Sequence, residues 1–427
     1  FPCRLNRPFV CPRIGPRERL REIGGFTVQL AVPQKRLGPR SFFVCAMTIQ
    51  LLLILAIDMY VPALPSMQRS FDVSAAYLNL TVFVFFAFSA ISVLLAGPVS
   101  DRYGRRPVLL AGVALFTVSS AACAVSPSVE VLVVFRAGEA LGYGLVATVE
   151  TALIKDAYEG DDLKIAMTCL QSLIIIGPAA APFLGTFLLS HGSWRLVFWF
   201  LAACGAVSLV LCGLISETHR VPKDAEGVGA ALRGMGAGVK ALLRDRRFVS
   251  LAMFMGVAGM PYFAFIAVVS YVLLDFFALS YFDYSVIYAI ACVVTIIAPF
   301  VYVLLSKRFS VRSILVLCIG LTVASFLGLF FFGEVAPLLF LAAFVPYALA
   351  EGVVRPMAFV VLLDQPADRV GSASAFSNFA YSMITSVATV LATLQWPTFV
   401  MAVAVMTGAA AVVMTGLYAF GLRKVKG

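Results

Sequence analysis

The sequence predicts an all-α polytopic membrane protein with twelve transmembrane helices in two six-helix bundles. Three observations lead to this fold class: an apolar composition, a series of long apolar runs, and a polar insert that divides the runs into equal halves. Of the 427 residues, 61% are hydrophobic and 13% are charged, whereas a soluble domain is about half apolar and about a quarter charged. The apolar runs must therefore face lipid.

The length of the runs favours helices over a barrel. Lipid cannot satisfy backbone polar groups, so only helices and closed barrels span a bilayer. The runs are about 20 residues long, whereas a barrel strand has roughly 10 alternating residues. The predicted runs cover approximately residues 42–63, 76–98, 107–126, 129–151, 164–190, 195–216, 248–272, 283–305, 312–333, 336–361, 370–394 and 396–421.

The longest polar insert, residues 217–247, follows the sixth run. We therefore predict an N-terminal bundle at 42–216, a cytoplasmic linker at 217–247, a C-terminal bundle at 248–421 and a cytoplasmic tail at 422–427. Apolar residues at helical spacing among Arg and Lys indicate an interfacial helix within the linker, most simply a tether between the bundles. The segment Ser100–Arg106 has a weaker counterpart at 306–312, as expected for parallel repeats in a transporter.

Basic residues outside the runs fall almost entirely on one side of the predicted membrane. If the N-terminus is cytoplasmic, only Arg69 and Arg195 lie on the opposite side, which is the positive-inside pattern. Both termini are then cytoplasmic, and the expected location is the bacterial inner membrane. Residues 1–41 are rich in Arg and Pro without apolar periodicity, so we expect a basic disordered segment without a targeting peptide.

Several function classes are disfavoured. Seven of the nine cysteines lie inside apolar runs, no CxxC pair occurs, and the two histidines are His191 and His219, so neither a metal site nor a cofactor is predicted. Zincin, hydrolase and P-loop signatures are absent from the sequence, which argues against an enzyme or an ATP-driven pump. The formal charge of +10 is explained by the cytoplasmic flanks, so nucleic-acid binding is not expected.

The strongest motif is the segment 97–107 between the second and third runs. Two glycines, an acid and paired arginines occur there together: Gly97, Asp101, Arg102, Gly104, Arg105 and Arg106. The glycines permit close backbone approach and a tight turn, and Asp101 can pair with an arginine or cap a helix. This loop resembles the signature loop of the major facilitator superfamily. The resemblance of the chain to this family extends over about residues 45–420. The resemblance implies a cytoplasmic gate that latches one transporter state.

The segment 57–65 at the end of the first run resembles the drug/proton antiporters of the Bcr/CflA type. An acid inside a span costs some 2.5–3.5 kcal/mol on insertion scales and usually lines a cavity. Asp58 is therefore the first candidate for proton or cation coupling. The alternative is that Asp58, followed closely by two prolines, only caps or hydrates the periplasmic end of the helix.

The fourth run contains four polar residues that share one face at 100° per residue: Arg136, Glu139, Tyr143 and Glu150. The family pattern in this span is similar and associates its arginine with proton transfer, but the family has glutamine where this sequence has Glu139. An internal ion pair between Arg136 and Glu139 is an equally good interpretation. Glu150 lies close enough to the cytoplasmic end to be solvated instead.

The fifth run resembles the antiporter motif of the superfamily, which the family associates with export. Its characteristic residues are small residues and prolines: Gly177, Pro178, Ala181, Pro182 and Gly185. The small residues at four-residue spacing let a neighbouring helix pack closely, and the prolines free backbone carbonyls. Close packing without any role in the direction of transport is the alternative.

The tenth run contains Glu351 and Arg355, four residues apart on one face, with Tyr347 one turn earlier. This pair either binds a charged substrate group or holds the lobes together. We expect the ionisable residues of the spans to lie in a water-accessible crevice between the two bundles.

These features predict a monomeric secondary transporter that exports small lipophilic or cationic compounds in exchange for protons by alternating access. The expected partners are a small-molecule substrate, protons and the lipid bilayer. A proton symporter that imports a nutrient is the alternative within transport. A membrane-embedded sensor or scaffold is the alternative from another class, although no loop is long enough for a soluble output domain.

Overall fold

The structure is a computed structural model that describes residues 36–219, 228–363 and 370–422, together with Leu30, Gln34 and Gln365. Within these residues the chain is helical, and twelve long helices occupy the twelve predicted runs, which confirms the all-α fold class. These helices are α1 Pro39–Asp58, α2 Leu80–Tyr103, α3 Arg105–Ala124, α4 Val129–Ala157, α5 Gly160–His191, α6 Arg195–Leu214, α7 Arg246–Ser270, α8 Tyr281–Ser306, α9 Val311–Phe332, α10 Pro337–Leu362, α11 Val370–Leu391 and α12 Phe399–Leu417.

Ten of these helices are long and apolar enough to cross a membrane, judged by the described residues. The other two, α5 and α11, contain 32 and 22 residues and coincide with the fifth and eleventh predicted runs. We call α1 to α6 the N-lobe and α7 to α12 the C-lobe. Of the predicted segment 1–41, residues 1–29, 31–33 and 35 lie outside the described residues, as do residues 423–427 of the predicted tail.

Prolines and glycines determine several helix ends. Pro39 occupies the first turn of α1, where its missing N–H costs nothing, so the helix begins three residues before the predicted run. The predicted first run continued to residue 63, but α1 ends at Asp58 and is followed by a 3-10 turn at Val61–Ala63 and a short helix at Leu64–Phe71. Pro62 and Pro65 lie at the starts of those two elements, where proline is tolerated.

The predicted linker contains one described helix, Val228–Leu242. This linker helix contacts both α2 and α11 and so touches both lobes. Asp245 then caps α7, because its side chain accepts a hydrogen bond from the backbone N–H of Arg247 at 2.9 Å.

Two apolar clusters form the described core. One, which we call the inter-lobe core, contains residues of both lobes, including Tyr60, Phe198, Phe265 and Tyr284. Its C-lobe members come from the halves of the helices that the sequence places on the periplasmic side. The second cluster combines Leu242 of the linker helix with residues in the opposite halves of the C-lobe helices. The lobes are therefore packed together on the predicted periplasmic side.

Candidate functional site: a crevice between the lobes

A crevice of about 460 Å³ lies between the lobes, next to the inter-lobe core. A volume of this size suits a small molecule. Both lobes line it: Ile54, Ile57, Asp58, Phe86, Ser89, Ala90, Val93, Tyr143, Ala147 and Pro178 from the N-lobe, and Tyr262, Phe263, Ile266, Cys292, Thr295, Ile296, Pro299, Glu351, Gly352, Arg355, Pro356, Asn378, Phe379, Tyr381 and Ser382 from the C-lobe.

A second, larger groove of about 680 Å³ lies on the predicted periplasmic face, where residues 68–76 approach residues 393–400. Its lining contains no acidic or basic side chain. The crevice has three, Asp58, Glu351 and Arg355, and all three were singled out from the sequence. Charged groups that converge on an enclosed space mark a binding site better than volume does, so we take the crevice as the candidate site.

Asp58 ends α1 and is 2% exposed. Its Oδ1 accepts a hydrogen bond from the Tyr288 hydroxyl at 2.9 Å. Because Tyr288 belongs to α8, this hydrogen bond joins the lobes. Sequence reasoning missed Tyr288, since nothing along the chain indicates which of the 14 tyrosines faces Asp58.

The inter-lobe contact at Asp58 has two polar neighbours on the same side. Thr186 of α5 and Ser285 of α8 share a hydrogen bond of 2.9 Å between their hydroxyls. Arg69 and Asp275 form an ion pair at 3.1 Å. Together with the inter-lobe core, these contacts close the predicted periplasmic side.

Glu351 and Arg355 occupy the C-lobe wall of the crevice. Glu351 is 6% exposed, and its Oε1 accepts a hydrogen bond from the Tyr381 hydroxyl at 2.9 Å. The Arg355 guanidinium lies over the Tyr381 ring, 4.8 Å from its centroid. Tyr381 of α11 therefore contacts both members of the predicted pair and positions them on one wall. Sequence reasoning missed this residue too.

Arg136 and Glu139 do not line the crevice. Both are fully buried inside the N-lobe, and Arg136 Nη1 donates to Glu139 Oε2 at 2.6 Å. The Arg136 guanidinium is enclosed by the rings of Tyr60 and Phe85, with centroids at 4.1 and 4.3 Å. Glu139 Oε1 accepts a hydrogen bond from the Ser120 hydroxyl at 2.7 Å. The geometry is that of an internal ion pair, the second interpretation that the sequence allowed.

The other polar residues predicted in spans four and ten have different positions. Tyr143 lines the crevice and is half-buried, whereas Glu150 is 1% exposed and neither of its carboxyl oxygens has a hydrogen-bond partner among the described residues. Tyr347 is buried within the C-lobe, where its hydroxyl donates to the carbonyl of Ala258 at 2.6 Å and accepts from the backbone N–H of Tyr262 at 2.9 Å. Neither Glu150 nor Tyr347 belongs to the crevice lining.

The antiporter-motif residues place α5 directly against α1. A methyl group added at Gly177 would lie 2.6 Å from the side chain of Ile54, and one added at Gly185 would overlap the carbonyl oxygen of Met59. Ala181 between them is fully buried and Pro182 is buried, while Pro178 lines the crevice. The small-residue face therefore allows the close approach of the helix that carries Asp58.

The segment 97–107 forms a charge cluster at the opposite end of the N-lobe. Arg105 pairs with Asp101 at 2.5 Å and with Asp156 of α4 at 3.0 Å. The Glu217 carboxylate accepts hydrogen bonds from the backbone N–H groups of Arg105 and Arg106 at 2.9 and 3.0 Å. The cluster thus ties α2, α3, α4 and the end of α6 together.

The two glycines of this segment differ. Gly104 has φ +94°, and an added Cβ would lie 2.6 Å from Glu217 Oε2, so both backbone and space require glycine there. An added Cβ at Gly97 would meet nothing within 4 Å, so the expectation of a close approach at this position is wrong for this structure. Arg102 is exposed, and Arg106 donates from Nη2 to the carbonyl of Gly213 at 3.1 Å.

Two six-helix lobes around a central crevice that is lined mostly by apolar residues and contains three charged side chains are typical of multi-pass membrane proteins that carry solutes by secondary transport. The sequence profile of the Major Facilitator Superfamily matches residues 46–389, and the chain belongs to this family. It is therefore an integral membrane transporter and not an enzyme, as the sequence predicts. Transporters of this superfamily act on small-molecule substrates and are commonly monomeric.

Among its relatives, the chain is 28% identical over 383 residues to the uncharacterized MFS-type transporter YdgK of Bacillus subtilis, which covers 87% of this chain and 92% of that protein. It is 29% identical over 259 residues to the multidrug transporter MdfA of Yersinia pestis, covering 60% and 62% of the two chains. It is 31% identical over 179 residues to the multidrug resistance protein MdtL of Escherichia coli, covering 42% and 46%.

Solved structures share the fold. The crystal structure of a peptide transporter POT in complex with sulfate superposes with a TM-score of 0.73 at 18% identity, covering 92% of this chain and 97% of that one. A D-xylose-proton symporter gives a TM-score of 0.68 at 18% identity, covering 88% and 97%. These likenesses confirm the two-bundle architecture predicted from the sequence.

Proposed function

We propose that this protein exports small lipophilic or cationic compounds in exchange for protons by alternating access, as a drug/proton antiporter of the Bcr/CflA type. One observation carries the proposal: Asp58 lines the crevice and is hydrogen-bonded across the lobe interface to Tyr288. The resemblance to MdfA and MdtL, named as multidrug proteins, supports export of drug-like compounds. The proposed setting is the bacterial inner membrane, with both termini cytoplasmic and a monomer as the working unit.

The Asp58–Tyr288 hydrogen bond couples protonation to the position of the lobes. A carboxylate accepts a hydrogen bond about twice as strong as a neutral group does. Ionised Asp58 therefore holds the predicted periplasmic side closed, and a proton on Asp58 weakens this contact. A substrate that displaces the Tyr288 hydroxyl has the same effect.

This arrangement couples the movement of protons to the movement of substrate. The empty, ionised carrier stays closed on the predicted periplasmic side, whereas the proton-loaded and substrate-loaded carriers are released to change sides. Exchange needs this property, because a carrier that changed sides empty would dissipate the proton gradient. The binding energy of either ligand thus shifts the equilibrium between the two states of the lobes.

The test is transport in proteoliposomes under an imposed pH gradient. The probes are naphthalene-1-sulfonamide, (1-naphthyl)trimethylammonium and naphthalene-1-sulfonate, which have similar shapes. The ammonium and sulfonate probes keep their charge at every pH used, so a pH gradient does not by itself redistribute them across the membrane. We expect gradient-dependent movement of at least one probe in the direction opposite to protons, absent from liposomes without protein. Movement in the same direction as protons would favour the symporter, and movement unaffected by collapse of the gradient would refute proton coupling.

Asp58→Asn is the diagnostic variant. It keeps the shape of the side chain but cannot bind and release a proton, so we expect the gradient to lose its effect on transport. Asp72→Asn is the matched control, because Asp72 is exposed outside the crevice and has φ +51°, a conformation that asparagine tolerates. Normal gradient-driven transport by Asp58→Asn would exclude Asp58 as the coupling acid.

A further inference from the structure

The charged groups of the crevice are not equally available to a ligand. Asp58 and Glu351 are buried, and each accepts a hydrogen bond from a tyrosine hydroxyl. Arg355 is exposed to the crevice. No described residue accepts a hydrogen bond from its guanidinium or lies within ion-pair distance of it; the guanidinium lies over the Tyr381 ring and is attracted at longer range by the Glu351 carboxylate.

The ring contact leaves the Arg355 donors free. A guanidinium that lies over a ring gains a cation–π attraction, which needs none of its five N–H groups. The hydroxyl of the same ring is committed to Glu351, so Tyr381 holds the acid and the cation on one wall without joining them. Among the described residues, Arg355 makes no hydrogen bond, ion pair or ring contact with the N-lobe, which favours a role in binding over one in holding the lobes together.

The rest of the crevice is suited to an aromatic body. Phe86 of the N-lobe meets Phe263 of the C-lobe edge to face with ring centroids 4.7 Å apart, and Phe263 contacts Tyr381 at 6.0 Å. Phe379 is a further aromatic residue of the lining. The Arg355 guanidinium is therefore next to a continuous group of rings that spans both lobes.

We infer that Arg355 is a substrate-binding residue that selects compounds with an anionic group on an aromatic body. A planar guanidinium with free donors binds a carboxylate, sulfonate or phosphate through two parallel hydrogen bonds. A cation would instead have to reach acids that are buried and already hydrogen-bonded. The inference rests on the proposed function and selects, within it, lipophilic anions over cations.

The test is equilibrium binding to the purified full-length protein in detergent, which needs no transport. The probes are naphthalene-1-sulfonate, naphthalene-1-sulfonamide and (1-naphthyl)trimethylammonium, which share one ring system and differ in charge. We expect the sulfonate to bind about ten-fold more tightly than the sulfonamide, because one hydrogen bond to a charged group contributes about this factor to the affinity. The ammonium probe should bind most weakly.

Arg355 variants assign the preference to this residue. Arg355→Gln should remove the preference for the sulfonate while retaining the affinity for the sulfonamide, which shows that the crevice is intact. Arg355→Lys should retain part of it, because charge remains but the planar pair of donors is lost. Arg308→Gln, at an exposed position outside the crevice, is the control.

Equal binding of the three probes by the unaltered protein, a preference for the ammonium probe, or no binding of the sulfonate would each overturn the inference. So would an unchanged sulfonate preference in Arg355→Gln. Failure of gradient-driven transport with an intact, Arg355-dependent sulfonate preference would instead refute the proposed function and leave this inference standing.

Discussion

At the residue scale, the two acid–base sets of the spans have different surroundings. Arg136 and Glu139 are enclosed by the N-lobe and paired with each other, whereas Glu351 and Arg355 share a wall of the crevice without an ion pair between them among the described contacts. Opposite charges one helical turn apart, three residues in one helix and four in the other, thus give a structural pair in one lobe and a guanidinium open to the crevice in the other. The neighbouring helices contribute to this difference, because they enclose Arg136 and leave Arg355 facing the crevice.

We expect substitutions of Arg136 and Glu139, the enclosed ion pair, to lower the stability of the protein by different amounts. Arg136→Gln leaves Glu139 buried with the Ser120 hydroxyl as its remaining hydrogen-bond partner among the described residues, and we expect a loss of about 3–5 kcal/mol in the free energy of unfolding. Glu139→Gln should cost less, because the rings of Tyr60 and Phe85 still stabilise the guanidinium, by about 2 kcal/mol where it is desolvated.

Thermal unfolding of the purified variants in detergent checks this order. The double variant Arg136→Gln/Glu139→Gln removes both charges and should recover much of the loss seen with Arg136→Gln. Equal losses in the two single variants, or a larger loss with Glu139→Gln, would contradict the assignment of the rings as partners of Arg136.

Sequence reasoning found the charged residues of the site but not their partners. Asp58, Glu351 and Arg355 stand out because charges are rare inside membrane spans. Tyr288 and Tyr381 carry no such signal among 14 tyrosines and 36 phenylalanines, and only the packing of helices distant in sequence identifies them. Likewise, periodicity places Arg136 and Tyr143 on one helix face but cannot say that a neighbouring helix covers the first and the crevice exposes the second.

At the element scale, α5 shows how small residues set the position of a functional helix. Gly177, Ala181 and Gly185 lie one helical turn apart and face α1, and α5 also contacts α8 of the other lobe. The same helix thus packs tightly on the segment that carries Asp58 and forms part of the lobe interface through Thr186. The sequence predicted this close packing but could not name α1 as the neighbour.

We therefore expect Gly185→Ala to weaken the packing between α1 and α5. Its methyl group would overlap the Met59 carbonyl oxygen, which a backbone cannot easily avoid, so the apparent unfolding temperature should fall. Gly320→Ala in α9 is the matched control, since an added Cβ there meets nothing within 4 Å. An equal effect of both substitutions would show that helix propensity, and not the α1 contact, decides the outcome.

The number and extent of the helices were largely predictable, because a span needs an uninterrupted apolar run of defined length. The first run shows the limit of this reasoning. Apolar residues continue to 63, but Pro62 and Pro65 divide the segment after Asp58 into short elements that hydropathy cannot distinguish from a longer helix. These breaks place Asp58 at the end of α1, beside the lobe interface.

At the scale of the whole molecule, the lobes are packed together on one side and surround the crevice, in which Phe86 and Phe263 of opposite lobes are in contact. The Arg69–Asp275 ion pair lies at the closed side, with both side chains partly exposed, 66% and 42%. An exposed pair of this kind contributes only about 0–1 kcal/mol. It is therefore a marker of the closed state more than a cause of it.

This marker permits a test of alternating access. With cysteines at positions 69 and 275 and a short bis-maleimide, we expect cross-linking to tie the lobes together on this side and to stop transport in proteoliposomes. The variants with one of the two cysteines, treated in the same way, are the controls. Undiminished transport by fully cross-linked protein, with the degree of cross-linking measured by mass spectrometry, would show that this side does not open during the cycle.

The inter-lobe core has a thermal consequence for such a cycle. Opening the closed side brings rings such as Phe265 and Tyr284 into contact with water. Hydration of apolar surface raises the heat capacity by about 0.45 cal/K/mol for each Å². If this opening limits turnover, the logarithm of the transport rate will follow a curve, and not a straight line, against reciprocal temperature.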